Sequence, residues 1–403
     1  MKKIVAFVLL STALFAEVNV QGHISLDSNF FIKAPSDKHQ NNFTSKQEFE
    51  LTYNSNEFDL YAKLYAQEDY YDFFASEHNH RSFVDLKEFY LSKEQGDYRV
   101  QIGKSVKFWG ALEVMNIVDV FNTQDLRNDF LDNDRLGAYN AELTYFTESG
   151  EMSLIVKTNE VDQKMSAYPY VYYTFPKALS YNDNLQTEQG RNRPTIYATL
   201  NGSTDSEYPI DYAFIVQNGY DSQRYFSANG TTLSENAYLV NKFMTYNTFV
   251  IDATLVKLEA LYTDVIDNKN VSDYMNIGLG VEHTLEILED GSELGLIAEY
   301  YNYKTYDDTK FSDLDLYVTF QNDLFLGLRW SLNDVDDTKV VGGVVQDFDY
   351  HEQSYYVEYE RRVGESFKLS ADVRYIEPSL DTPTAFRSLG AHKRVAVEVG
   401  YYF

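Results

Sequence analysis

The 403-residue sequence contains no cysteine, which excludes disulfide bonds, thiolate metal ligands and a lipid-modified N-terminal cysteine. It has only seven prolines, and no Pro-, Gly- or Ser-rich linker divides the chain. Beyond the first 16 residues there is no apolar run of about 18 residues, the length from which a transmembrane helix is inferred. The sequence therefore predicts one continuous domain without membrane-spanning helices.

The motifs of several functional classes are also missing. No Walker or dinucleotide glycine motif occurs, and an excess of 62 acidic over 34 basic residues opposes nucleic-acid binding. None of the seven histidines lies in a recognisable nucleophile motif. The acidic stretches 129–134 and 334–337 lack regular calcium-ligand spacing, so we expect solvated loops there. The sequence predicts neither an enzyme nor a bound cofactor or metal.

The chain begins with MKKIVAFVLLSTALFA, in which Lys2 and Lys3 precede an apolar run and small residues that extend to Ala16. This order is typical of a secretory signal peptide and is too short for a permanent membrane helix. We assign residues 1–16 to the signal peptide and residues 17–403 to one exported domain.

Hydrophobic residues alternate with polar residues along most of the chain. In the last segment, HKRVAVEVGYYF, one side of the strand presents Val395, Val397, Val399, Tyr401 and Phe403. The strand-like segments run about ten residues, and their turns alternate short with long, as in outer-membrane barrels. The 35 tyrosines and 27 phenylalanines cluster near strand ends, where interfacial girdles form. We therefore predict an all-β, transmembrane antiparallel barrel in the Gram-negative outer membrane, rather than a secreted β-sandwich.

The number of strands does not follow directly from the alternation. The candidate strands, one of them starting near Leu314, add up to an odd number, whereas bacterial barrels have even numbers. The stretch VVGGVV, Val340–Val345, is short and glycine-rich, so we assign it to an external loop. This leaves about 18 strands, with about 16 as the alternative.

The segment IGKSVKFWGALEVMNIVDVFNTQDLRNDFLDNDR, Ile102–Arg135, is the most distinctive. Its GK, WG and DVFNxxDL elements resemble those of a little-characterised group of proteobacterial porin-like barrels. The stretch LNDVDDTKVVGGVVQDFD and the final hairpin resemble the same group. The resemblance implies an outer-membrane channel and supplies no substrate. Trimeric assembly follows only by analogy with classical porins.

The terminal strand carries a second resemblance. It ends on Phe403, as do the terminal strands of Gram-negative outer-membrane barrels, in which this end is read by the barrel assembly machinery. The resemblance implies that Tyr401 and Phe403 form an assembly signal. Lipids and lipopolysaccharide of the outer membrane are the other expected partners.

Residues 109–135 lose the strand period and are too apolar to extend into water. We expect this stretch to fold into the barrel mouth, either to narrow a pore or only to brace the wall. The residues that would form its pore-facing side are Trp109, Asn116, Asp119, Asn122, Asp125 and Arg127.

The inward faces of the last three strands carry charges of both signs. The predicted lumen residues are Glu358, Glu360, Arg362, Lys368, Asp372, Arg374, Arg394 and Glu398. They would either set the ion preference of a pore or pair across strands as braces. Inward glycines, among them Gly278, Gly280, Gly295, Gly327 and Gly400, would leave room in the lumen.

Together these features predict a passive channel for small hydrophilic solutes. The formal charge of −28 predicts a preference for cations that fades as salt rises. The alternative is a structural or adhesive barrel with no open pore.

Overall fold

A computed structural model describes residues 18–403 except for 33, 76–78, 132–133, 287–290 and 390–392. The proposed signal peptide, residues 1–16, lies outside the described residues. The first part of the chain forms β1 (Val18–Phe31), β2 (Asn41–Asn54), β3 (Asp59–Asp69), α1 (Tyr70–Phe74), β4 (Phe83–Gln95), β5 (Tyr98–Ser105), β6 (Asp125–Leu126), β7 (Ala138–Thr147), β8 (Gly150–Lys157), β9 (Lys164–Met165), β10 (Ser180–Thr187), β11 (Thr195–Ser203) and β12 (Ile210–Tyr220). The second part forms β13 (Tyr225–Asn229), β14 (Thr232–Ala237), β15 (Leu239–Ile251), β16 (Thr254–Val265), β17 (Tyr274–Glu286), β18 (Glu293–Thr305), β19 (Asn322–Ser331), β20 (Lys339–Asp347), β21 (Gln353–Val363), β22 (Phe367–Glu377), α2 (Ala385–Leu389) and β23 (Lys393–Tyr402).

Eighteen of these strands form one closed antiparallel barrel. They are β1–β5, β7, β8, β11, β12 and β15–β23, and each pairs with the next one in this order. The barrel closes because β23 pairs with β1, from His23 opposite Tyr402 to Phe31 opposite Arg394. Each barrel strand thus has a neighbour on both sides, as a structure in lipid requires. The predicted all-β antiparallel barrel of about 18 strands is confirmed.

Short and long connections lie at opposite ends of the barrel. Residues 96–97, 148–149 and 252–253 are two-residue turns, and they define the short-turn end. The connections at the other end, which we call the long-loop end, include 106–137 and 158–194. In bacterial barrels the short turns face the periplasm and the long loops face outward.

One strand assignment from the sequence is wrong. Val340–Val345 belongs to β20, a wall strand that pairs with β19 and β21. Both glycines face close neighbours: a Cβ at Gly343 would lie 2.2 Å from the ring of Phe325 on β19, and one at Gly342 would lie 2.9 Å from the carbonyl oxygen of Tyr356 on β21. A strand that looks too glycine-rich for the wall is therefore shaped to accept a neighbouring aromatic ring.

The expected strand near Leu314 does not form. Residues 313–317 form a turn, in which the N–H of Val318 donates to the carbonyl oxygen of Asp313 at 3.0 Å. Leu316, Val318 and Phe320 alternate because they are buried at the barrel mouth and not because they face lipid. The two errors cancel, which is why the predicted count of strands agrees with the structure.

The barrel has the polarity of a membrane protein. Apolar side chains on its outer face are widely exposed, for example Leu26 at 66% and Val84 at 69%. Charged side chains on its inner face are covered, for example Lys242 at 1% and Glu259 at 0%. A soluble sandwich would show the opposite distribution, so the outer face of this barrel is matched to lipid. No helix in the described part of the chain has the length and hydropathy to cross a membrane.

Candidate pore and the segment that crosses it

The connection between β5 and β7, residues 106–137, folds into the barrel, and we call it the inner segment. It reaches Glu259 on β16, although β7, β8, β11, β12 and β15 lie between β5 and β16 in the wall. The backbone N–H groups of Ala111 and Leu112 donate to Oε1 of Glu259 at 2.6 and 3.0 Å. The inner segment therefore crosses the lumen to a distant part of the wall.

A second carboxylate on the same side of the barrel holds the next residues. The N–H groups of Glu113 and Val114 donate to the carboxylate of Glu299 on β18 at 2.7 and 3.1 Å. The N–H of Met115 donates to the hydroxyl of Tyr301 at 3.1 Å. An irregular segment inside a barrel has no helix or sheet partners for its N–H groups. Here the wall side chains supply the acceptors.

Glycines on β17 form a socket for the inner segment. A Cβ at Gly278 would lie 2.4 Å from Cδ1 of Leu112, and one at Gly280 would lie 2.8 Å from Cδ2. Gly327 is similarly covered by the ring of Phe325, at 2.2 Å. At these positions, the room that inward glycines leave is filled by protein and does not widen the lumen.

The inner segment is also fixed at another part of the wall, near the closure of the barrel. Asp129, which is 2% exposed, accepts a hydrogen bond from Nη1 of Arg374 at 2.8 Å and another from Arg394. Burial alone would raise the pKa of Asp129, but the two guanidinium groups outweigh it, so this pKa lies below its usual range. With Glu259 and Glu299, this ion pair anchors the inner segment to two parts of the wall.

Four of the predicted constriction residues are buried in packing contacts. Trp109 packs edge-on against Phe121 and against Tyr197 of the wall, with ring centroids 5.6 and 5.4 Å apart. Asn122 joins the two ends of the inner segment, since its Nδ2 donates to the carbonyl oxygens of Ser105 and Leu136 at 3.1 and 2.8 Å.

Asp125 and Arg127, the other two of these four, pair with each other. Nε of Arg127 lies 2.8 Å from Oδ1 of Asp125, and its guanidinium lies over the ring of Phe83. Both side chains are nearly covered. Like Trp109 and Asn122, they shape and brace the inner segment, and they are absent from the lining of the two cavities described below.

Asn116 and Asp119 have a different position, because both line the main cavity of the barrel. This cavity has a volume of about 800 Å³. Its lining includes Tyr317 in the long-loop region and Lys339, the first residue of β20 at the short-turn end. The cavity therefore extends past the inner segment over most of the height of the barrel.

Charged side chains in this lining are more often basic than acidic. The basic ones are Arg135, Arg224, Lys242, Arg329, Lys339 and Arg374, and the acidic ones are Glu113, Asp119 and Glu358. Many are paired: Arg329 contacts Glu113 at 2.5 Å, and Arg135 donates to Asp119 at 3.0 Å. The alternation of residues along β19 predicts that Arg329 points inward. No feature of the sequence predicts its ion pair with Glu113 of the inner segment.

Seven of the eight predicted lumen residues line a second cavity of about 320 Å³. They are Glu358, Glu360, Lys368, Asp372, Arg374, Arg394 and Glu398. Opposite charges meet across the strands, as with Lys368 and Glu360 at 2.7 Å and Arg394 and Asp372 at 2.9 Å. The pairs are arranged as wall braces.

Arg362 is the exception among the predicted lumen residues. It lies near the short-turn end of β21, where its Nε is 2.8 Å from Oδ2 of Asp337. Its side chain is 54% exposed. Arg362 is absent from the lining of both cavities, because β21 is near its end at this residue.

Long loops partly cover the mouth of the barrel. β10, β14 and β13 form a three-stranded sheet there, and β6 of the inner segment pairs with β9. We call the sheet of β10, β13 and β14 the cap. Its Tyr181 and Leu233 form an apolar cluster with Met165, Tyr173 and Phe175.

Comparisons with solved structures find the same barrel fold in other proteins. OccK8 (OprE) of Pseudomonas aeruginosa is similar with a TM-score of 0.54 and 8% identity, covering 96% of this chain and 98% of its own. OccK11 (OpdR) of the same species has a TM-score of 0.54 and 8% identity, covering 96% and 95%. Identity this low shows the fold alone. No protein-family model matches the chain, and a search of curated proteins finds no match.

Proposed function

We propose that this protein is an outer-membrane channel through which small hydrophilic solutes diffuse passively. The observation that carries the proposal is the main cavity, which continues past the inner segment from Tyr317 to Lys339. Its lining includes many polar and charged side chains, as the interior of a water-filled barrel does. We assign the protein no catalytic step and no cofactor.

The inner segment would set the narrowest cross-section of this channel. Its anchors, Glu259, Glu299 and Asp129, hold it across the lumen, while Asn116 and Asp119 face the main cavity. Constriction and bracing are therefore not exclusive: Trp109, Asn122, Asp125 and Arg127 brace the segment that narrows the passage.

An adhesive or structural barrel without an open pore is the second candidate. The cap formed by β10, β13 and β14, with its apolar cluster around Phe175, favours this candidate because it covers part of the mouth. The two candidates differ in conductance, since a covered mouth would pass no ions.

Planar-bilayer recording of the purified, folded protein separates the two candidates. A channel should give stepwise conductance increments, whereas a closed barrel should give none at any protein concentration. Fractionation of the native host should recover the protein with the outer membrane. The mass of the detergent-solubilised complex should show whether it forms the trimer that the analogy with classical porins suggests.

A further inference from the structure

Three buried carboxylates form a row at the long-loop end of the barrel. Asp323 on β19 is the direct register partner of Asp347 on β20. Glu352 immediately precedes β21, and its carbonyl oxygen accepts from the N–H of Asp347 at 3.0 Å. The three residues are 0%, 1% and 2% exposed. Like charges on directly opposed residues destabilise a sheet, so this row requires a compensating group.

Backbone donors satisfy one oxygen of each aspartate. Oδ2 of Asp323 accepts from the N–H of Gln321 at 2.7 Å. Oδ1 of Asp347 accepts from the N–H groups of Asp349 and Tyr350 at 2.6 and 3.0 Å. The remaining oxygens, Oδ1 of Asp323 and Oδ2 of Asp347, are buried without a hydrogen-bond partner. The amide Oε1 of Gln321, a neutral residue 4% exposed, is also buried without one.

No lysine or arginine compensates this row within the described part of the chain. The charged groups that act on Asp323, Asp347 and Glu352 are one another, Asp349 and the exposed imidazole of His351. Buried charges in proteins are ordinarily paired or coordinate a metal. Asp129 is paired with two arginines, and both Glu259 and Glu299 accept from backbone N–H groups of the inner segment. The row of Asp323 and Asp347 differs because one oxygen of each carboxylate has no hydrogen-bond partner.

We propose that Asp323, Asp347 and Gln321 bind a divalent cation such as Ca²⁺ at the mouth of the barrel. Carboxylate and amide oxygens are the ligands that Ca²⁺ prefers, and water completes its coordination in many sites. Glu352 adds charge but is not placed as a third side-chain ligand, because its Oε1 accepts from the N–H of Ser379 at 2.7 Å and from Thr384.

A site with two carboxylates is expected to be weak. No group of three or more His, Asp and Glu side chains in the described ranges is arranged to hold a metal ion. The affinity should therefore resemble that of extracellular calcium modules, about 0.1–1 mM. A cation here would join β19 to β20 and remove the repulsion between the row's carboxylates.

The test uses the full chain, refolded in detergent without lipopolysaccharide, at about pH 8. Wild type should melt at a higher temperature in CaCl₂ than in EDTA, and the shift should saturate. Tyrosine-sensitised Tb³⁺ luminescence should also saturate, and Ca²⁺ should compete with it. Asp323→Asn combined with Asp347→Asn should abolish both responses. In EDTA this variant should melt no lower than wild type, because it lacks the repulsion.

The matched control is Asp307→Asn combined with Asp308→Asn, which makes the same change of charge on an exposed loop at the same end. It should keep both calcium responses. Equal melting of wild type in EDTA and in CaCl₂ would overturn the proposal, as would a full calcium response in the Asp323/Asp347 variant. If the double variant does not fold, Asp347→Asn alone should weaken Tb³⁺ binding at least about tenfold, and unchanged binding would overturn the site.

Discussion

Two carboxylates on the wall accept hydrogen bonds from the backbone N–H groups of the inner segment, a role that a neighbouring strand fills in a sheet. Glu259 alone accepts from three backbone N–H groups, those of Ala111, Leu112 and Val118. Each buried N–H left without an acceptor costs about 1–3 kcal/mol. The position of the inner segment should therefore depend on a few side chains that lie far from it in sequence.

Replacing both Glu259 and Glu299 by alanine should release the inner segment from this side of the barrel. The hydrogen bonds between the wall strands are unaffected, so the barrel should still fold. Single-channel conductance should rise, and the current should become noisier. Glutamine at both positions is the matched control, because an amide oxygen preserves one acceptor and should give a smaller change. Equal conductance in wild type and in the alanine variant would show that these contacts do not position the segment.

Gly278→Ala should displace Leu112 from its socket, because the added Cβ would lie 2.4 Å from Cδ1 of Leu112. Overpacking of this kind typically costs about 1–3 kcal/mol. Gly295→Ala is the control on the neighbouring strand, where the nearest atom lies at an ordinary 3.5 Å. Heat resistance and conductance should change in the first variant and stay near wild type in the second. A similar response from both would argue against a specific socket.

Acidification should weaken the ion pair by which Asp129 anchors the inner segment to Arg374 and Arg394. The pKa of Asp129 is lower in the folded protein than in the unfolded chain, where it is about 3.9. The ion pair therefore stabilises the fold fully above about pH 4, and this stability is lost as the pH falls through the lower folded value.

Asp129→Asn removes the same charge at every pH, and loss of one partner of a buried pair costs about 3 kcal/mol or more. Protease cleavage within the inner segment should therefore be slow in wild type and fast in the variant near neutral pH. The two should converge as the pH falls below about 4. A constant difference across this range would mean that Asp129 is not the titrating anchor.

At the scale of elements, alternation identified most wall strands, because two solvents of opposite polarity act on the two faces of a membrane strand. It failed at β20, where Gly343 accepts the ring of Phe325, and near Leu314, where the apolar residues are buried at the mouth. The inner segment was recognisable because its sequence loses the two-residue alternation that a strand between lipid and water shows. Its anchors were not predictable, since nothing in the residue types pairs Glu259 with the backbone of Ala111.

The terminal strand provides a prediction at this scale. Phe403 exchanges two backbone hydrogen bonds of 3.0 Å with Gly22, and its ring is exposed on the outer face. Tyr402 instead lines the smaller cavity and stacks on His23. Deleting Phe403 or replacing it with glutamate should lower the folded fraction in the outer membrane severalfold, whereas Tyr402→Ala should have a smaller effect. Equal folded fractions, read from heat-modifiable mobility on gels, would refute an assembly role for Phe403.

At the scale of the whole molecule, two sources of charge compete to set ion preference. The protein as a whole is strongly acidic, with a formal charge of −28. The main cavity, by contrast, is lined by more basic than acidic side chains, among them Arg329 and Lys339. Pairing with Glu113 and Glu360 neutralises much of this local charge. The long-range electric field of the acidic surface should therefore set the ion preference, at least in dilute salt.

Reversal potentials across a salt gradient distinguish the two sources. Screening acts over about 30 Å at 0.01 M salt but over only about 3 Å at 1 M. If the surface field decides, cation preference should be clear near 0.01 M and should nearly vanish near 1 M. Asp307→Asn combined with Asp308→Asn, on an external loop, should weaken the preference in dilute salt without changing conductance in concentrated salt. An anion preference that persists at high salt would instead mean that the basic lining governs selection, because charges a few ångströms from the passing ion are barely screened.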